Sequence, residues 1–182
     1  MKYLFLLVGL LTGLCAHGQD VPEQSKTTVA LEFQQYPTGA IPGITLEFPV
    51  SDRSAISLRG GYNIVRHREL GEHDDERGGG LGFSVGYRKY LQATGNSLLY
   101  GVRTDLWFNE VDWMDNNPQR SGTTDVTVLQ PTASIGYRIS LSEGISFIPS
   151  ASLGFEINIS EEGEPIGQGA IGLVGIEFQF KF

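Results

Sequence analysis

The sequence predicts an all-β fold, an eight-stranded antiparallel transmembrane β-barrel built as an up-and-down meander. Three observations predict it. From Ala170 to Phe182 the residues alternate, with Ala170, Gly172, Val174, Ile176, Phe178, Phe180 and Phe182 on one parity and Glu177, Gln179 and Lys181 on the other. Side chains of a strand point alternately to its two faces, so this pattern turns an uncharged stripe toward lipid and the charges toward a lumen. Seven further segments repeat the design, and an even number of strands closes a ring that leaves no unpaired edge in lipid. When each strand is given its more apolar parity, ten clear mid-strand charges all fall on the other one.

Taken in order, the chain opens on Lys2 and an apolar run from Tyr3 to Leu14, followed by the small residues Ala16 and Gly18 around His17. This reads as a secretory signal peptide over 1–18, because the run is too short for a membrane helix, which needs about twenty residues. Cys15 raises lipidation as an alternative, but Leu14 stands where a lipobox takes a small residue. Cleavage after Gly18 leaves one barrel domain, 19–182, without cysteine and hence without disulfides. The net charge of −8 argues against a nucleic-acid partner and for an acidic, solvated surface. The 24 glycines and the lack of a helical period favour short strands over a helix bundle.

The strands are expected at 27–36, 43–50, 55–66, 80–91, 97–111, 124–140, 145–159 and 169–182. Connections at 50–54, 92–96 and 141–144 are short, whereas those at 67–79, 114–123 and 160–168 are long. That alternation matches short periplasmic turns and long outer loops, with 37–42 a brief first outer loop. Pro131 and Pro149 stand at strand positions a ladder disfavours and predict bulges or shear between their strands.

The outward parity carries Leu31 and Phe33, Ile44 to Phe48, Ile56 to Tyr62, Leu81 to Tyr87, Leu98 to Phe108, Ile135 to Ile139 and Leu153 to Ile157, taken at alternate positions. The inward parity carries Glu32, Glu47, Asp105, Glu156 and Glu177 against Arg59, Arg88, Arg103, Arg138 and Lys181, a balanced set that predicts a lumen charge network. Aromatic residues gather at both strand ends as two belts. Phe48, Tyr87, Tyr137, Phe178 and Phe180 stand at the periplasmic rim; Phe33, Tyr62, Phe83, Phe108, Trp113 and Phe155 stand at the other. Trp107 points inward and either fills the upper lumen or marks a bulge. A soluble barrel of the lipocalin kind would invert the faces, but the polar parity holds Gly61, Gly82, Gly86, Gly101, Gly136, Gly154 and Gly175, which suit a crowded lumen better than a wet exterior.

On the terminal alternation that ends in Phe178, Phe180 and Phe182, the chain resembles the small outer-membrane β-barrels of Gram-negative bacteria, such as the OmpA transmembrane domain, OmpX and OmpW. The resemblance covers the mature chain and implies an outer-membrane location, with the three phenylalanines as the signal read by the barrel-assembly machinery. It also implies contact with outer-membrane lipid and lipopolysaccharide, and a monomer is expected.

Function divides into three classes. A structural or surface-interaction barrel with a side-chain-filled lumen is the preferred reading; a narrow conduit for small or hydrophobic solutes, OmpW-like, is the alternative; a lipid A- or phospholipid-modifying enzyme is the third. Against the last, the mature chain keeps only His67 and His73, both in one outer loop and neither facing an outward serine, so no catalytic residue is assigned. The cluster His73 to Glu76 has ligand types for a divalent cation without ligand spacing, so neither a metal nor a cofactor is assigned. Arg66, His67 and Arg68 stand where a strand leaves the membrane and are candidates for lipopolysaccharide phosphates.

Overall fold

The computed structural model describes residues 27–68 and 71–181; the expected leader at 1–18 and Phe182 lie outside the described residues. Eight strands follow one another: β1 (Thr28–Tyr36), β2 (Gly39–Ser51), β3 (Ser54–Arg68), β4 (Asp75–Tyr90), β5 (Ser97–Asn116), β6 (Gln119–Ser140), β7 (Ile145–Glu162) and β8 (Gly169–Lys181). Each pairs antiparallel with the next, and β1 pairs with β8 from Thr28↔Lys181 to Gln35↔Val174, closing the barrel. Both ends of the described chain therefore lie at the end that carries the turns 52–53, 91–96 and 141–144.

The alternation of loop lengths does not hold. At the far end the connections are 37–38, 69–74, 117–118 and 163–168, no longer than those near the termini. What differs is strand length, since β5 and β6 run 20 and 22 residues and pair without a break from Ser97↔Arg138 to Asn116↔Gln119. The segments 67–68, 75–79, 114–116 and 119–123 are ladder, not loop. Their outward residues, Arg68, Arg77, Ser121 and Thr123 among them, are mostly polar because the strands have left the bilayer, and polarity on a strand imitates a loop.

Within the bilayer band the exterior is apolar: Leu153 is 74 % exposed and Val174 64 %. Such exposure in water would be an aggregation surface; toward lipid it is the required solvent match. The aromatic rows bound the band, except that Trp113 is buried and inward-facing, stacked on His73 with ring centroids 4.2 Å apart, so it is no belt residue. Along β5 from Tyr100 to Phe108 the band spans about 20 Å at a rise of about 3.4 Å per residue and a tilt near roughly 40°.

Trp107 sits in an unbroken stretch of both its ladders, Gly82↔Trp107 and Trp107↔Val128, and fills the lumen. A Cβ on Gly82 would run into its ring, so only glycine leaves room for the indole at that level. The one bulge nearby, at Thr127/Val128, lies on the β6–β7 side. That seam is also the interrupted one. Its pairs pass from Leu129↔Ile157 to Thr132↔Gly154 and from Gly136↔Ser150 to Ile139↔Phe147, and the two gaps hold Pro131 and Pro149, which have no N–H to give.

Candidate functional sites in the lumen and at the mouth

The lumen is layered. Nearest the termini a polar vestibule of about 670 Å³ opens outward, lined by Thr28, Ser54, Arg138 and Lys181 and floored by Glu47, Tyr90 and Gln179. Lys181 is exposed at its rim, and Arg138 lies over the Tyr90 ring at 4.6 Å and donates to the turn carbonyls of Gln92, Ala93 and Gly95. Neither makes an ion pair among the described residues. Above the vestibule Arg88 bridges Glu177 at 2.6 Å and Glu47 at 3.2 Å, while the Tyr90 hydroxyl donates to Glu47 at 2.8 Å.

The next tier joins four groups from three strands, β1, β3 and β5. Arg59 contacts Glu32 at 3.2 Å and Asp105 at 3.3 Å; Arg103 contacts the same two at 2.8 and 3.1 Å. Two positive and two negative charges thus form a closed square, with Ser84 donating to Asp105, Thr45 to Glu32, and both arginines to Gln34. Desolvated charges need such mutual satisfaction, and this one is drawn from across the barrel. The free space left between the two tiers is about 30 Å³, room for one or two waters. Of the ten inward charges, the structure brings seven into ion pairs; Glu156 stands half-buried nearer the far end without one among the described residues.

Over this tier lies an apolar plug that period-two reasoning did not anticipate: Tyr36, Ile41, Trp107, Val111, Val126, Val128, Ile171 and Leu173, with Trp113 and Ile166 above them. Trp107 donates to Gln130 at 2.8 Å and takes the Arg59 guanidinium 5.3 Å from its ring, so it joins plug to charges. The signal was available, since apolar residues occupy both parities in Val126–Leu129 and Ile171–Val174, beyond what one lipid-facing stripe needs.

The far mouth is capped by residues 71–74 and 163–168. Glu76, fully buried, accepts from His67 at 2.6 Å, from the N–H groups of Glu72 and His73, and from Gly167 N–H. His73 reaches Asp115 at 3.1 Å and the Pro165 carbonyl at 3.1 Å, and Ile166 drops into the plug. These groups are engaged with one another, and among the described residues no three acidic or histidine side chains stand close enough to hold a metal ion.

His67 is thus buried inside the mouth and does not face lipid headgroups, contrary to its grouping with its neighbours. Arg66 and Arg68 are exposed on the outward face above Tyr62, where the register sets Arg77 of β4 directly beside Arg66. Arg77 was missed because its stretch reads as loop.

Glu76 lies beyond the aromatic row, outside the membrane-spanning part of β4. Burial pushes its carboxyl up, but the His67 hydrogen bond and charge and the N–H groups of His73 and Glu72 outweigh this and hold it below the ordinary range. A carboxyl depressed on folding contributes stability that is present above its unfolded value and lost as pH falls through its folded one. The cap is therefore expected to loosen below about pH 4. Amide exchange at Glu72, His73 and Gly167 should accelerate there, and Glu76→Gln should remove the acid dependence; a flat profile in the parent protein would contradict it.

No family model matches the sequence, and no curated protein sequence does. Solved structures do. Neisserial surface protein A superposes with a TM-score of 0.55 at 10 % identity, over 86 % of this chain and 95 % of that one. The outer membrane protein OprG of Pseudomonas aeruginosa gives 0.52 at 10 %, over 87 % and 97 %. A major outer membrane protein of Thermus thermophilus gives 0.50 at 13 %, over 87 % and 100 %. At such identities the likeness speaks to fold alone. Together with the closed eight-stranded ring and the uncharged apolar exterior between aromatic rows, it gives the chain the fold of the small eight-stranded outer-membrane β-barrels.

Proposed function

We propose that this barrel is a closed membrane anchor without catalytic activity, whose role lies in what its outer end presents rather than in what passes through it. The observation that carries this is the filled lumen: two ion-paired tiers, about 30 Å³ of free space and an apolar plug under a hydrogen-bonded cap. In a planar bilayer the refolded protein is expected to be electrically silent; discrete openings would overturn the reading. The vestibule of about 670 Å³ favours a second reading, a conduit loaded from the periplasm, which would require the Arg59–Arg103 tier to part. Insertion fits a monomer delivered by the barrel-assembly machinery, with Phe178 and Phe180 outward on the last strand.

At the outer rim Arg66, Arg68 and Arg77 suit lipopolysaccharide phosphates. Like charges opposed across a ladder are unfavourable; Arg77 is already paired with Asp75, and an anion beside Arg66 would neutralise the remaining charge. Replacing Arg66 and Arg68 by alanine is expected to reduce lipopolysaccharide co-purification several-fold; equal co-purification would remove the idea.

A further inference from the structure

We propose that the outer edge of β6, Gln119–Thr123, is a docking edge for an extended, lysine- or arginine-bearing segment of another protein, added as a further strand. Three observations lead there. The β5–β6 hairpin outruns its neighbours: β7 follows β6 only as far as Asp125↔Glu162, after which Gly163, with φ +138°, sends the chain across the mouth. Among the described residues, Gln119–Thr123 then has β5 on one side and no strand on the other, and no turn or loop backbone hydrogen bond reaches it. Natural edges are blunted by lysines, prolines or inward charges. Here Gln119, Arg120, Ser121 and Thr123 are exposed or nearly so and only Arg120 is charged, its guanidinium already held by Asp115 at 2.8 Å.

On the outer face of the hairpin end a groove of about 440 Å³ runs from Asp75 and Arg77 of β4 past Asp112, Trp113 and Met114 to Ser121, Gly122 and Thr123 of the edge strand. Its Trp113–Met114 floor offers an apolar seat to side chains of an incoming strand whose main chain supplies the ladder bonds.

Charge selects the occupant. Around the edge stand exposed Asp112, Asp125, Glu161, Glu162 and Glu164, against Arg120 and Arg77, which are already paired with Asp115 and Asp75. A second copy of the chain would bring the same excess of carboxylates and be repelled, whereas a cationic strand is drawn in and held in register.

The test uses the full barrel refolded in zwitterionic nanodiscs and three eight-residue probes: alternating lysine and valine, the same peptide N-methylated at alternate residues, and alternating glutamate and valine. The lysine–valine peptide should slow amide exchange within 119–124 roughly tenfold or more, while leaving β1–β3 unchanged. N-methylation and the glutamate series should abolish the protection, and D125N/E162Q should weaken binding. Binding without protection at 119–124, equal binding of the N-methylated or glutamate peptide, or protection that grows with protein concentration alone would each overturn the proposal.

Discussion

Asp105→Ala is expected to lower the unfolding free energy of the refolded barrel by about 3–5 kcal/mol, measured by urea titration in lipid vesicles. Asp105 is fully buried and accepts from Arg59, Arg103 and Ser84, which come from three strands. Its removal leaves two guanidiniums to share Glu32, an excess positive charge in a space that holds one or two waters. The comparison that separates charge from packing is Arg59→Leu combined with Asp105→Leu, which removes one charge of each sign and leaves the Arg103–Glu32 pair. The double variant should recover much of the loss, because replacing a buried pair as a pair avoids the orphaned ion. A loss below about 1 kcal/mol for the single variant would mean that water reaches the tier freely, and the closed-lumen reading would fall with it.

Trp107→Ala carries the other large effect, about 3–5 kcal/mol by the same measurement, from the emptied volume and the dispersion attraction its lining forfeits. The indole lies against Gly82, donates to Gln130 and covers Arg59, so its loss opens a void between the charged tier and the plug and leaves the Gln130 oxygen without its donor. Refilling by Trp107→Phe should restore most of the packing but not the hydrogen bond. If Trp107→Ala were nearly neutral, the upper lumen would collapse around the gap, and the plug would be softer than its burial implies.

These two residues also show how far the sequence could be read. The alternation of the last strand, and the uncharged outward parity of the membrane stretches between Leu31 and Ile157, establish strand number, closure and facing, because lipid tolerates so few exceptions on that side. Inward partners are harder, since a parity states which face a charge is on but not its level. The square of Arg59, Arg103, Glu32 and Asp105 depends on shear between strands, and Arg138, Glu156 and Lys181, of the same parity, fall at other levels. Polar ladder above the bilayer was legible only as loop, which hid Arg77 from the rim, turned Trp113 into a belt residue and left His67 facing lipid. Trp107 was the visible exception, an apolar residue on the inner parity that marked where the interior changes character.

That change has a consequence for how the molecule sits. Below Phe108 the strands are apolar outside and charged inside; above it Glu110, Asp112, Asp125 and Arg77 are outside, while Val111, Trp113 and Val126 are inside. A single strand such as β5 therefore carries two opposite codes, one for oil and one for water, and the row where they meet acts as a waterline. A shift of two residues inward would sink a row of carboxylates into hydrocarbon, and the same shift outward would lift Phe108 and its neighbours into water. The protein's draught in the membrane is set by its own sequence, independently of any anchor on either side.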